Sequence, residues 1–87
     1  MKKFCGKIIV KMKPDVKDIK GEALKQAVKS VVELHDLQCA VGNWYQISFC
    51  AKNQVEALKF IDKIAQDILS NEVIETYEIK SLEEIDE

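Results

Sequence analysis

Apolar and polar residues alternate along the later part of residues 7–13, KIIVKMK. Ile8, Val10 and Met12 fall on one side, and Lys7, Ile9, Lys11 and Lys13 on the other. A period of two predicts a half-buried strand, ended here by Pro14 and Asp15. The period then changes. In DVKDIKGEALKQAVKSVVELHD (15–36), Ala23, Leu24, Ala27, Val28, Val31 and Leu34 recur at helical spacing, with Lys25, Gln26, Lys29, Ser30 and Glu33 on the outer side. Asp18 suits the N-cap, and Glu22 suits the first turn beside the positive end of the helix dipole.

Residues 37–50, LQCAVGNWYQISFC, predict a hairpin around Gly42 and Asn43. A two-residue turn would put Leu37, Cys39 and Val41 on the face of Gln46 and Ser48. A three-residue loop from Gly42 to Trp44 instead groups them with Tyr45, Ile47 and Phe49, and is the register expected. It leaves Gln46, Ser48 and Cys50 on the opposite face. A second helix is expected over NQVEALKFIDKIAQDILSN (53–71). Its capping-box-like start is Asn53 with Glu56, its buried stripe Ala57, Leu58, Ile61, Ile64, Ala65 and Ile68, and its left-handed terminator Asn71. Residues 73–79 complete the pattern as a last strand, and SLEEIDE (81–87) reads as a frayed acidic tail beyond a single domain of residues 1–80.

The predicted fold is therefore α+β in the order β-α-β-β-α-β, a four-stranded antiparallel sheet with two helices on one face. The second face has no visible cover. It would carry Ile9, Lys11, Trp44, Gln46, Cys50 and either Ile74 or Tyr77. Eighty-seven residues make one domain whose burial on folding is modest, about 60–65% of the unfolded surface. A half-apolar open face on such a domain points to self-association.

Composition narrows the chemistry. Thirteen basic and 15 acidic residues leave a net charge of −2, which gives no electrostatic reason to expect nucleic acid. An RNA-binding sheet of this plan would also show stacking aromatics, whereas Tyr45 and Phe49 fall on the core side. Lysines gather early (Lys2, Lys3, Lys7, Lys11, Lys13, Lys17, Lys20) and acids after Glu72. That asymmetry is either a solvated surface or a means of steering chain ends together. No apolar run reaches the length of a membrane span. The start, MKKFCGKIIVKMK, opens like a signal peptide, but Lys7 and Lys11 interrupt it and no small-residue cleavage site follows. A cytoplasmic protein with reduced thiols is expected.

Cys5, His35, Cys39 and Cys50 match a Cys3His zinc set by number only, because their spacing lacks the usual close pairs. His35 falls at the end of the first helix, where an imidazolium suits the dipole. There is no phosphate-binding glycine loop, Ser30, Ser48, Ser70 and Ser81 have no nearby base, and Glu83 and Glu84 lie in the tail. No catalytic residue, cofactor site or metal site is assigned.

Three stretches in order carry a family resemblance: VKMKPDVKDIKGEALKQAV (10–28), VGNWYQI (41–47) and DILSNEVIETYEI (67–79). With their spacing they resemble PurS, the small-subunit family of formylglycinamide ribonucleotide amidotransferase. Lys13 and Pro14 match the family's Lys-Pro. Asp18 and Gly21 match its Asp-Pro-x-Gly, with Ile19 in place of proline. Gly42 matches the hairpin glycine, while Ala40 and Asn43 stand where basic residues are usual. Leu69, Asn71, Val73, Ile74, Glu75 and Tyr77 match the final motif, with Glu72 replacing a proline. The resemblance implies a non-catalytic subunit, a dimer or tetramer, that bridges an ATP-dependent synthetase subunit and a glutaminase subunit and assists ammonia transfer. ATP and magnesium would belong to the synthetase. Candidate interface residues are Ile9, Gly42, Asn43, Trp44, Ile74, Glu75 and Tyr77, with Glu78 a further contact edge. Small-ligand regulatory domains that act as dimers share this architecture and are the alternative.

Overall fold

The computed structural model describes residues 1–85. Strand β1 (Lys2–Met12) is followed by helix α1 (Ile19–Lys29), strand β2 (Gly42–Ala51), helix α2 (Gln54–Ile64) with a π-helical turn at Ala65–Leu69, and strand β3 (Glu75–Ile85). The three strands form one antiparallel sheet in the order β2-β1-β3. The amino-terminal segment that opens like a signal peptide is thus the central strand.

Alternation in β1 sends Phe4, Gly6, Ile8 and Val10 under α2. Ala57, Ile61 and Ala65, one helical turn apart, descend onto them from α2 and its π turn. Tyr45, Ile47 and Phe49 from β2, and Tyr77, Ile79 and Leu82 from β3, close the sides. A bulge between Lys7 and Ile8 shifts the β1–β3 register, so that Lys7 faces Ser81 and Ile8 faces Ile79. The Lys-rich first strand lies directly beside the acidic last one. Cys5 pairs with Glu83, Ile9 with Glu78, and Lys2 reaches Glu84 at 4.0 Å. The charge asymmetry is spent at least partly within one chain.

Several expectations are corrected. The sheet has three strands among the described residues, not four, because residues 37–41 join no ladder. The Val41 N–H that a hairpin would use goes to Asp18 Oδ2 at 2.9 Å. Gly42, Asn43 and Trp44 are accordingly not a loop but the first residues of β2, opposite Lys11, Val10 and Ile9. The faces expected for the rest of β2 hold: Tyr45, Ile47 and Phe49 face the core, and Gln46, Ser48 and Cys50 are exposed. Helix α1 stops at Lys29, with Ser30 as its C-cap, so His35 lies in the following bend and not at a helix end. Asn71 is not left-handed; Asp36, at φ 53°, is the positive-φ residue among those described. Instead the Asn71 side chain accepts from Val73 N at 3.1 Å, and its carbonyl from Glu75 N at 2.7 Å. Residues 81–85 of the expected tail are strand, while Asp86 and Glu87 lie outside the described residues.

The largest departure concerns α1. Its one buried residue is Gly21, and Leu24 and Val31, expected in the core, are 43% and 81% exposed. Among the described residues, α2 is the one helix that covers the sheet. The molecule is correspondingly long, 52 × 30 × 16 Å, with a radius of gyration of 16.7 Å against about 12 Å for a compact chain of this length. Its accessible surface, 6503 Å², exceeds the roughly 5,200 Å² of a compact 9.9 kDa monomer by about 1,300 Å².

Candidate protein-docking surfaces

The amino end of α1 is fixed by one carboxylate. Asp18 accepts from Gly21 N at 2.8 Å, capping the helix, and from Val41 N at 2.9 Å, tying it to the start of β2. These two hydrogen bonds, from Val41 first and Gly21 second, hold the Asp18 carboxyl below its ordinary pKa. The contact requires glycine at 21, since a Cβ there would stand 2.8 Å from the Cys39 carbonyl oxygen. Ile19 occupies the first helical position without displacing the cap. Around this clamp a cleft of about 240 Å³ is lined by Gly42, Asn43, Glu75, Lys11 and Lys20, among others. Two halves of the sequence, 42–43 and 75, thus meet there, as neighbours of the central strand's end.

The open sheet face gathers a second group. Ile9 lies between Trp44 on β2 and Glu78 on β3 in adjacent ladders. Trp44 is 57% exposed, an aromatic surface on the face it shares with Ile9, Gln46, Ser48 and Cys50. Ile74 sits in the turn before β3, where its carbonyl accepts from Lys13 N at 2.9 Å. Glu75 opens β3 and accepts from Asn71 N at 2.8 Å.

Tyr77 does not join these residues. It pairs with Val10 on the core side, and its hydroxyl donates to Asp62 Oδ1 of α2 at 2.6 Å. That hydrogen bond, with some desolvation, raises the phenol above its ordinary pKa. Tyr77 therefore fastens α2 over β3 within the protomer.

A third surface was hidden by the expectation of a two-helix layer. Phe60 and Ile68 on α2 and its π turn are 44% and 74% exposed. With Ile64 they follow one another at four-residue spacing on one side of the helix. Phe60 meets Phe49 of β2 with ring centroids 6.2 Å apart, so this side of α2 faces the β2 edge of the sheet. Lys63 and Asp67 pair alongside at 2.7 Å, which raises the lysine's pKa. Periodicity placed Ile64 and Ile68 in the buried stripe of this helix, but Ile68 and Leu58 of that stripe are exposed, and Phe60 lay outside it.

Among the described residues, no group of three or more His, Cys, Asp or Glu side chains is placed to hold a metal ion. Cys5 and Cys39 are half-buried and Cys50 is exposed, all as free thiols. Among the described residues, no helix is long and apolar enough to cross a membrane.

Architecture and surface define a small α+β domain with one sheet face partly covered by a helix, the other open, and a largely unpacked second helix. Comparison with known proteins narrows this. Residues 6–83 match the family model described as PurS, phosphoribosylformylglycinamidine (FGAM) synthase, and the chain belongs to that family. It is 26% identical over 79 residues to the phosphoribosylformylglycinamidine synthase subunit PurS of Thermotoga maritima, covering 91% of this chain and 96% of that one. Its structure is similar to Thermus thermophilus PurS, with a TM-score of 0.82, 25% identity, and coverage of 97% and 99% of the two chains. It is equally similar to a chain in the structure of PurLQS from Thermotoga maritima, with a TM-score of 0.82, 25% identity, and coverage of 98% and 100%.

Proposed function

We propose that this chain is the small subunit of phosphoribosylformylglycinamidine synthase, acting in purine biosynthesis without an active site of its own. As a dimer it bridges the ATP-dependent synthetase subunit and the glutaminase subunit, and it helps to form the route for ammonia between them. ATP and magnesium belong to the synthetase subunit, and the assembly works in the cytoplasm. The observation that carries this reading is the family match across residues 6–83, together with the similarity to a chain of a PurLQS structure. The apolar surface left exposed on α1, α2 and Trp44 supports a binding role.

The reading is tested by size-exclusion chromatography of this chain mixed with the synthetase and glutaminase subunits, glutamine and Mg-ATP. Co-elution of all three is expected. A small chain that elutes alone under every nucleotide and glutamine condition would overturn it.

A further inference from the structure

The lysines gathered early in the sequence are only partly used by the sheet. Lys2 reaches Glu84 of β3, but Lys11, Lys17 and Lys20 stand in no ion pair among the described residues. These three come from the end of β1, the segment before α1 and the first turn of α1, and they line the same cleft of about 240 Å³. Two carboxylates share its wall, and both are already engaged. Asp18 accepts from Gly21 N and Val41 N, and Glu75 accepts from Asn71 N. Asn43 adds an amide with two N–H donors, one of which goes to Tyr45 Oη at 3.3 Å. Val10, Met12, Ile19 and Val41 make the rest of the wall largely apolar.

We propose that this cleft binds a phosphate group, carried by a small phosphorylated metabolite or free in solution. Three ammonium groups in one cleft repel one another, and an anion between them relieves that repulsion. The carboxylates that could have done so are turned to backbone N–H groups. The result is a positive spot on a chain whose net charge is −2, with apolar walls that strengthen its field. Each lysine offers three donors as a compact charge, which suits a tetrahedral dianion approached from several sides. A few polar groups converging in a mostly apolar cleft is the ordinary make-up of a small-molecule site. The volume lies below the roughly 300–1,000 Å³ of sites for drug-sized ligands, so the ligand is small. The site lies within one protomer, goes beyond the assembly role and needs no partner subunit.

NMR of the isotope-labelled full chain, in a phosphate-free buffer at fixed pH and chloride, tests the site. Inorganic phosphate and glycerol phosphate are titrated separately. Amide shifts at Lys17, Lys20, Gly42 and Asn43 should move with each and saturate at millimolar ligand. Lys17→Gln and Lys20→Gln should each weaken binding at least about ten-fold, through loss of a charge-assisted hydrogen bond. Both side chains are exposed, so the remaining spectrum of each variant should match the wild type. Lys59→Gln removes the same charge from α2, away from the cleft, and should leave the affinity unchanged. Tighter binding of glycerol phosphate assigns the cleft to a phosphorylated metabolite, and tighter binding of inorganic phosphate to the free ion; either order supports the site. Shifts that rise without saturating, that added sodium chloride reproduces, or that persist unaltered in Lys17→Gln and Lys20→Gln overturn it.

Discussion

Gly6 lies on the covered face of β1, and the structure leaves no space for a side chain there. A methyl group at this position would sit 2.8 Å from Ile61 Cδ1 and 2.9 Å from Ile61 Cγ1, with Leu82 Cδ1 at 3.6 Å. Ile61 is fully buried and packed with Ile8, Val10 and Ala65, so it cannot swing aside into solvent. Forcing a methyl group into such a contact costs about 1–3 kcal/mol. Replacing glycine within a strand restores about 0.5–1 kcal/mol through lower backbone entropy loss. The net loss for Gly6→Ala is therefore about 0.5–2 kcal/mol, or roughly 2–15 °C in Tm for a chain of this size. Ile61→Ala alone should cost about 2–5 kcal/mol through the cavity it opens. The double variant removes both clashing atoms and lets the new methyl group fill part of that cavity. It should fall short of additivity by about 1–2 kcal/mol. Thermal and urea unfolding of the four proteins, at one protein concentration because association shifts apparent stability, measures the cycle. A Gly6→Ala variant as stable as the wild type, or a cycle additive within about 0.3 kcal/mol, would refute this packing argument.

The Asp18 clamp has a pH signature. Its carboxyl is held below the ordinary 3.8, so its contribution is complete above that value and disappears as pH falls through the lowered one. The amide proton shifts of Gly21 and Val41, followed by NMR, should titrate together below 3.8; a transition at or above it would contradict the geometry. Tyr77 has the opposite sign. Its phenol is raised above 10.0 by the hydrogen bond to Asp62, so the stabilisation is complete below the ordinary value and lost as pH climbs through the raised one. In a Tyr45→Phe background, ultraviolet phenolate titration should move down on Asp62→Asn, and an unmoved curve would remove Asp62 as the cause. Trp44→Ala should shift stability by no more than about 0.5 kcal/mol, as expected for an exposed side chain, yet weaken assembly with the partner subunits. Unchanged co-elution of that variant would count against the open face as a docking surface.

Local signals were legible where one segment decides its own conformation. Asp18 caps α1 as expected from its side chain and position. Asn53 caps α2, accepting from Glu56 N at 2.9 Å, while Glu56 Oε1 accepts from Lys52 N instead of from Asn53 N. Alternation assigned the faces of Ile8, Val10, Tyr45, Ile47 and Phe49 correctly. What escaped the sequence were choices made between segments. Val41 could donate to a neighbouring strand or to Asp18 from 23 residues earlier, and only the folded chain shows that Asp18 takes it. Tyr77 could face either side of β3 until the bulge opposite Lys7 and Ile8 and the hydrogen bond to Asp62 fixed it. The stripe on α1 reads as core because periodicity reports that a face seeks cover, without reporting which chain supplies it. Of the candidate interface residues, Ile9 and Trp44 share the open face, Gly42, Asn43 and Glu75 share the cleft, Ile74 lies in the turn beside it, and Tyr77 turns inward.

The central claim is that this chain completes a glutamine-dependent synthase without contributing catalytic groups. Its most direct test is formation of formylglycinamidine ribonucleotide from glutamine, formylglycinamide ribonucleotide and Mg-ATP by the synthetase and glutaminase subunits, with and without this chain. The account predicts that glutamine-dependent turnover requires the chain, rises with it to a fixed stoichiometry, and survives replacement of His35, Cys5, Cys39 and Cys50. Full glutamine-dependent turnover in its absence would contradict the account.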